Sequence, residues 1–406
     1  MPTEIIRLLG LEGPNLYGPQ PGVYLQVRSD KDRARRLKDA IKDGAQSVGM
    51  VIGYLEIESA PAPGGFVISA NFTTPTPAIG VALGEYVVEG LNRQEAGDEE
   101  WDAEGPLWDL QKRRRAEALP LPALQIAAEA ASRGVPSFVR GDGQLQLGYG
   151  ARSWAFDPAP LKARSSADTL LGDEIGIGPP PFARPAAALE VPWEQVGPIP
   201  IIAVAGGAGS TTAATLIAAT LHAQRQAAQL ATAADFDAAR ALLADRSAAI
   251  AVIGLDPAGI ARRGLAFERS AFCAITDLPA ELPPGVANRA ELARVLGVPM
   301  LIADSDGRVV LNADEPELVA LSEYAPCPLI YFSAGDSNPT IGFHRAEGGQ
   351  ALFVRDGMVF AAQGAAEQPV AAATLTPAEL PGALAGLALL WAMGLTWDQI
   401  TGQTKG

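Results

Sequence analysis

Apolar and polar positions along the chain fall into two rhythms, one of period two and one of period three to four. Val23–Val27, Val51–Glu58 and Gly65–Phe72 alternate or run apolar in short stretches and predict strands. Lys31–Lys42 has the spacing of a charged amphipathic helix, Ala78–Gly90 that of an apolar one. Leu121–Arg133 predicts a further helix, closed by Gly134 with Pro136 just beyond. The basic run Lys112–Arg115 reads as a solvated helix face.

A second folded stretch begins near residue 199. Ile201–Ala205 is a continuous apolar run, and Ala213–His222 continues in helical spacing. Thr232–Asp245 predicts a helix, Ala249–Leu255 and Phe272–Thr276 strands, and Arg289–Leu296 a helix. Pro299–Ala303, Val309–Asn312 and Pro328–Ser333 predict strands, with Glu315–Tyr324 helical between the last two. Residues 351–363 predict a hairpin turning at Asp356-Gly357, and 377–402 are helical. Near-continuous apolar strands alternating with helices imply a mainly parallel sheet with both faces covered. The expected fold class is α/β, with an N-terminal α+β domain over 1–155 and an α/β domain over 196–406. Between them, Pro158, Pro160, Pro179, Pro180, Pro181, Pro185 and Pro192 punctuate residues 156–195, which predict a Pro/Gly-rich linker.

Composition narrows the function classes. The 406 residues are 48% hydrophobic and 19% charged, the balance of a folded chain long enough for two or three domains. A net charge of -15 disfavours binding to nucleic acid or an anionic membrane, and leaves room for a zwitterionic or basic ligand. Cys273 and Cys327 lack metal-ligand spacing and stand in apolar surroundings, as reduced core thiols of a cytoplasmic protein would. The only histidines are His222 and His344, so no metal site is expected. Met-Pro-Thr-Glu opens the chain without a basic or apolar leader pattern, and Leu380–Leu395 is too short to span a bilayer.

The sharpest chemical feature is the stretch after Ile201–Ala205. Gly206, Gly207 and Gly209 are followed by Ser210, Thr211 and Thr212 at the start of a helical pattern. Strand, glycine turn and helix N-terminus together suit phosphate binding through backbone N–H groups. A nucleotide-hydrolysing loop places Lys where Ser210 stands. The expectation is a vestigial phosphate loop. Its alternatives are a backbone cradle that still takes phosphate, and a tight turn that never did.

Several segments carry a family resemblance. Leu11-Glu12-Gly13-Pro14-Asn15-Leu16-Tyr17 is similar to the N-terminal Arg-Gly-Pro-Asn motif of cyanophycin synthetases, which build an aspartate–arginine polymer. Residues 121–150, ending Gln146-Leu147-Gly148-Tyr149-Gly150, resemble the close of the same N-terminal domain. Gly259–Arg269, Val310-Leu-Asn-Ala-Asp-Glu-Pro316 and Gly394–Ile400 resemble that family's Mur-ligase-like domain. The resemblance implies a cyanophycin-synthetase-like N-terminal domain followed by a Mur-ligase-like domain.

The departures from the family pattern shape the functional expectation. The family places an ATP-grasp domain where this chain has about forty Pro-rich residues, so aspartate addition is expected to be absent. The phosphate-loop Lys corresponds to Ser210, the magnesium-binding Glu to Gly254, and the Asn-Ile-Ala-Ala-Asp-His segment to Asp277-Leu278-Pro279-Ala280-Glu281. The C-terminal Mur domain is likewise not expected. Loss of the Lys alone removes a charge-assisted contact of roughly 1.5–3 kcal/mol, and loss of the metal ligands leaves transition-state charge unstabilised. The resemblance thus implies a catalytically degenerate relative with no catalytic residue, no metal site and no cofactor. It would bind a cyanophycin-like peptide or an active synthetase, with homo-oligomerisation possible. For polymer it puts forward Asn15, Tyr17 and Tyr149, with Arg262 and Arg263, against the plainer reading of turn residues, packed aromatics and salt-bridged surface. The alternative is an ATP-dependent carboxylate–amine ligase using ATP and Mg²⁺ at the relaxed loop.

Overall fold

The computed structural model describes residues 2–161, 189–372 and 376–402. Most of the connection expected at 156–195 therefore lies outside the described residues.

The N-terminal region is a four-stranded antiparallel sheet, order β1-β2-β4-β3, from Glu4–Leu11 (β1), Gly22–Ser29 (β2), Leu55–Ala62 (β3) and Gly65–Thr73 (β4). Alternation decides its faces: Val23, Leu25 and Val27, then Ile68, Ala70 and Phe72, are fully buried, while their neighbours face outward. Helices α1 (Ala34–Val48) and α2 (Pro77–Ala96) cover that face through Leu37, Ile41 and Val48, and Ile79, Leu83 and Val87. Helices α3 (Glu104–Glu117) and α4 (Leu121–Ser132) follow, then a small sheet of β5 (Ser137–Val139), β6 (Leu145–Leu147) and β7 (Trp154–Phe156). The strand expected at Val51–Glu58 begins only at Leu55. Helix α1 closes on the left-handed Gly49, and Val51 beyond it is exposed.

The second region holds nine strands among the described residues, order β16-β15-β14-β13-β12-β11-β8-β10-β9. Strands β8 (Ile201–Ala205), β9 (Ala228–Ala234), β10 (Ile250–Leu255), β11 (Ser270–Ile275), β12 (Ala303–Asn312), β13 (Leu329–Ser333) and β14 (Gln350–Arg355) run parallel. Strands β15 (Met358–Gln363) and β16 (Ala366–Ala372) finish the sheet antiparallel. The hairpin turn is at Asp356-Gly357 as expected, with φ 50° and 71°. The helices are α5 (Ala208–Ala223), α6 (Phe236–Ala244), α7 (Pro257–Arg263), α8 (Arg289–Leu301), α9 (Pro316–Val319), α10 (Pro339–Ala346), α11 (Leu380–Ala392) and α12 (Trp397–Thr401).

In this second region, two of the expected elements take another form. The helix expected over Thr232–Asp245 is split: 228–234 is strand β9, and α6 starts at Phe236, capped by Asp235 accepting from Ala238 N–H at 2.9 Å. Alanine-rich residues favour helix locally, yet pairing with β10 overrides that preference. The strand expected at Pro299–Ala303 is instead the last turn of α8, which contains Pro299. Val295 to Met300 are all buried, so apolar periodicity there could not distinguish helix from strand.

Helices α5 and α11 cover one face of the sheet, over Ile202, Val204, Val252 and Val310. Helices α6, α7 and α8 cover the other, over Ile201, Ala203 and Ile253. The N-terminal region is seated at this second face. Glu12 N–H donates to Arg263 O (2.8 Å), Leu265 N–H to Pro14 O (2.8 Å), and Gln146 Nε2 to Leu243 O (3.0 Å). Ion pairs Arg7–Glu291 (2.8 Å) and Arg263–Glu12 (2.7 Å) cross the same junction. Gly13 is required there, since a Cβ would lie 2.0 Å from Leu265 O. No helix among the described residues is long and apolar enough to cross a membrane.

Candidate functional site

In open parallel sheets, ligand crevices lie beyond the carboxyl ends of the strands, where neighbouring connections leave in opposite directions. Strand β8 is flanked by β10 and β11, and the loop 206–212 leaves its carboxyl end. The loop 206–212 therefore opens at that position of the sheet. Gly206 takes φ 145° and Gly207 caps α5.

The loop is closed by Asp277, the second residue beyond β11. Gly209 N–H donates to Asp277 Oδ1 at 3.1 Å, and Gly207 N–H to the Asp277 carbonyl at 3.2 Å. The Thr276 hydroxyl donates to Asp277 Oδ1 at 2.6 Å and fixes the carboxylate. Asn312, buried at the end of β12, donates to Thr276 O at 2.8 Å and holds that turn. The glycines make this approach possible: a Cβ on Gly207 or Gly209 would lie 2.5 or 2.6 Å from a carboxylate oxygen of Asp277. A helix N-terminus attracts an anion through its free N–H groups and dipole. Here the protein supplies that anion itself.

The other loop residues turn inward or away. Ser210 is buried and its hydroxyl donates to Gly207 O at 2.8 Å. Thr211 is exposed and Thr212 half-buried. Helix α11 presses on the loop from the side, with Gly382 so close that a Cβ would lie 2.3 Å from Gly209 O. Gly254, at the end of β10, is buried facing Ala214 and Ser210 O. No group of His, Cys, Asp and Glu side chains fit for a metal occurs among the described residues.

The residues put forward for polymer lie elsewhere, at or near the junction. Asn15 is buried and organises a turn, donating to Gly13 O (2.8 Å) and accepting from Tyr17 N–H (2.8 Å). The Tyr17 ring stacks on Tyr24 at 3.9 Å, and burial pushes its phenol well up. Tyr149 is buried and lines a cleft of about 430 Å³, and burial raises its phenol too. Arg263 is engaged by Glu12 (2.7 Å) and Asp237 (2.6 Å), and lies over the Phe236 ring at 4.5 Å. Arg262 is exposed on α7. Asn15 and Arg263 thus meet at one junction, and no hydrogen bond links either to the loop 206–212 among the described residues.

Further chemistry-bearing residues also have structural partners. Asp256 caps α7 through Ala258 and Gly259 N–H groups, and Arg269 pairs with Asp304 at 2.8 Å. Cys273 and Cys327 are free and buried, and burial raises both thiols. Sequence reasoning missed the role of Asp277 at the loop. The available signal was its place just beyond a parallel strand adjacent to β8.

A family model described as "Domain of unknown function (DUF4938)" matches residues 2–172 and 170–332. The chain belongs to the DUF4938 family. This DUF4938 protein is also similar to the cyanophycin synthetase of Synechocystis sp., 30% identical over 220 residues, covering 49% of this chain and 25% of that one. The cyanophycin synthetase of Crocosphaera subtropica is 27% identical over 246 residues, covering 54% of this chain and 28% of that one. The chain spans about a quarter of the length of these curated relatives. Among solved structures, a UDP-N-acetylmuramoyl-L-alanyl-D-glutamate–2,6-diaminopimelate ligase matches with TM-score 0.41 at 14% identity, covering 52% of this chain and 46% of that one.

Proposed function

We propose that this DUF4938 protein is a catalytically degenerate relative of the cyanophycin synthetases. In this reading it is a cytoplasmic binding or scaffold protein for an Asp/Arg-type polymer or for an active synthetase. The observation that carries the proposal is the Asp277 carboxylate on Gly209 N–H at the mouth of the phosphate loop. A triphosphate entering there would have to displace that carboxylate and break its bonds to Gly209 and Thr276, or be bound beside it. Two unit charges 4 Å apart repel by about 4 kcal/mol at the effective dielectric of a protein surface. The loop offers no lysine to offset this, because Ser210 stands at that position and is bonded back to Gly207. The test is a pull-down with purified polymer and with a full-length synthetase. Retention of either supports the reading, and retention of neither overturns it.

The retained strand, glycine turn and helix favour one second reading, an ATP-dependent carboxylate–amine ligase. It requires ATP turnover with Mg²⁺ that disappears when Gly209 or Thr211 is made bulky. Absence of turnover in the unaltered chain removes it.

A further inference from the structure

The junction between the N-terminal region and the parallel sheet contains a cleft of about 950 Å³. Its walls are Glu12 and Pro21, the β5–β6 hairpin, helix α6, and Arg263 with Glu268. That is within the usual size of small-molecule sites, which favour interfaces between folded regions.

Most charges around the cleft are satisfied within the protein. Arg263 is held by Glu12 and Asp237, and Arg140 lies 3.5 Å from Asp142. Asp245 accepts from the Ser247 N–H and hydroxyl at 2.9 and 2.8 Å. Two wall charges differ. Among the described residues, neither Arg240 nor Glu268 has a hydrogen bond or an ion pair at contact distance, and they act on each other only at longer range.

Arg240 is also held in a fixed pose. Its guanidinium carbon lies 4.3 Å from the Phe138 ring centre and 5.1 Å from that of Phe236. The two aromatic contacts come from the β5–β6 hairpin and from α6, so Arg240 joins both walls. Burial lowers its pKa, with Tyr149 and Glu268 acting against that shift. A half-buried guanidinium has lost much of its water, and its fork of N–H groups matches the two oxygens of a carboxylate. Aromatic contacts that fix the fork reduce the entropy lost when a ligand arrives.

Glu268 is exposed and lines both this cleft and the adjacent one of about 430 Å³ that Tyr149 borders. The arrangement thus offers, within a single concave junction, a cation and an anion that act on each other only at longer range and form no contact ion pair. A purely anionic ligand would face Asp237, Asp245 and Glu268 as well as Arg240. A purely cationic one would be opposed by Arg240.

We propose that this junction cleft binds a small zwitterion of amino-acid or dipeptide size, with its carboxylate on Arg240 and its cationic group toward Glu268. The site goes beyond the polymer reading, because it needs neither a polymer nor a partner synthetase.

The experiment is a calorimetric titration of the full chain with the free amino acids and their glycyl dipeptides. The tightest binder among those with uncharged side chains is then compared with its N-acetyl form, which keeps only the carboxylate, and its amide, which keeps only the cation. The expected result is saturable binding of at least one zwitterion, with both blocked forms weaker by about tenfold or more. Arg240→Gln and Glu268→Gln should each weaken binding by a similar factor. Arg240 contributes to packing, so Arg240→Lys provides a variant that keeps the charge and loses the fork. Glu268→Gln alters an exposed position, so its effect on binding is read without a change in folding. The proposal is overturned if no zwitterion binds at low millimolar concentration, if a blocked form binds equally well, or if Glu268→Gln leaves binding unchanged.

Discussion

The loop 206–212 and the junction cleft are opposites. The loop has the sequence pattern of an anion site, yet Asp277 occupies it and Ser210 is bonded back to Gly207. The cleft has no sequence motif, yet it presents Arg240 with no carboxylate at ion-pair distance among the described residues. A motif marks where backbone donors can be aimed. Whether they remain available depends on residues far away in sequence, here 68 positions apart for Gly209 and Asp277. Buried polar groups are nearly always satisfied, so an unsatisfied charge facing a cavity is the stronger indication of a ligand.

Steric substitution at the loop should have the strongest effect. Gly382→Val should be the largest effect, because its Cβ would lie 2.3 Å from Gly209 O and separate α11 from α5. Overpacking against a backbone that cannot give way costs about 3 kcal/mol or more, read as a lower denaturation midpoint. Asp277→Ala should come next, with a loss of about 1.5–3 kcal/mol from removing a charged hydrogen-bond acceptor. It should also expose Gly209 N–H, so that pyrophosphate, silent on the unaltered chain, now raises the melting temperature.

Smaller changes separate the loop from the junction. Ser210→Ala removes one neutral hydrogen bond and should cost about 0.5–1.5 kcal/mol, with no gain of pyrophosphate binding. The junction should respond to acid. Burial pushes the Glu291 carboxyl up, but hydrogen bonds from Arg7 and Ala287 outweigh it and leave it below the ordinary carboxylate value. Its native pKa lies below its unfolded one. Its stabilising contribution is therefore complete above about pH 4.5 and is lost as pH falls through the lowered native value. Arg7→Ala should remove this part of the acid dependence of unfolding, an effect of about 1 kcal/mol or less.

Much of the frame was legible in the sequence, and the reasons are physical. Alternating Val23, Leu25 and Val27 and the buried run Ile201–Ala205 each encode their own environment, so strand type and sheet class follow from local pattern. Residues 228–234 did not reveal a strand because the pairing that makes them one comes from β10. Pro299 misled because a run buried on all sides has no amphipathic period. The loop itself was readable, but its occupant was noticed only as a departure from a family segment. Arg240 and Phe236 are four residues apart on α6, a spacing that brings side chains together. Phe138, which completes that contact, comes from a distant hairpin and left no local signal.

In the proposed reading, Asp277 closes the phosphate loop to nucleotide. Calorimetric titration of the unaltered chain with ATP and Mg²⁺, run beside Asp277→Ala, tests it most directly. The expected result is no detectable heat of binding for the unaltered chain at two temperatures. Micromolar ATP binding by the chain with Asp277 in place would contradict it.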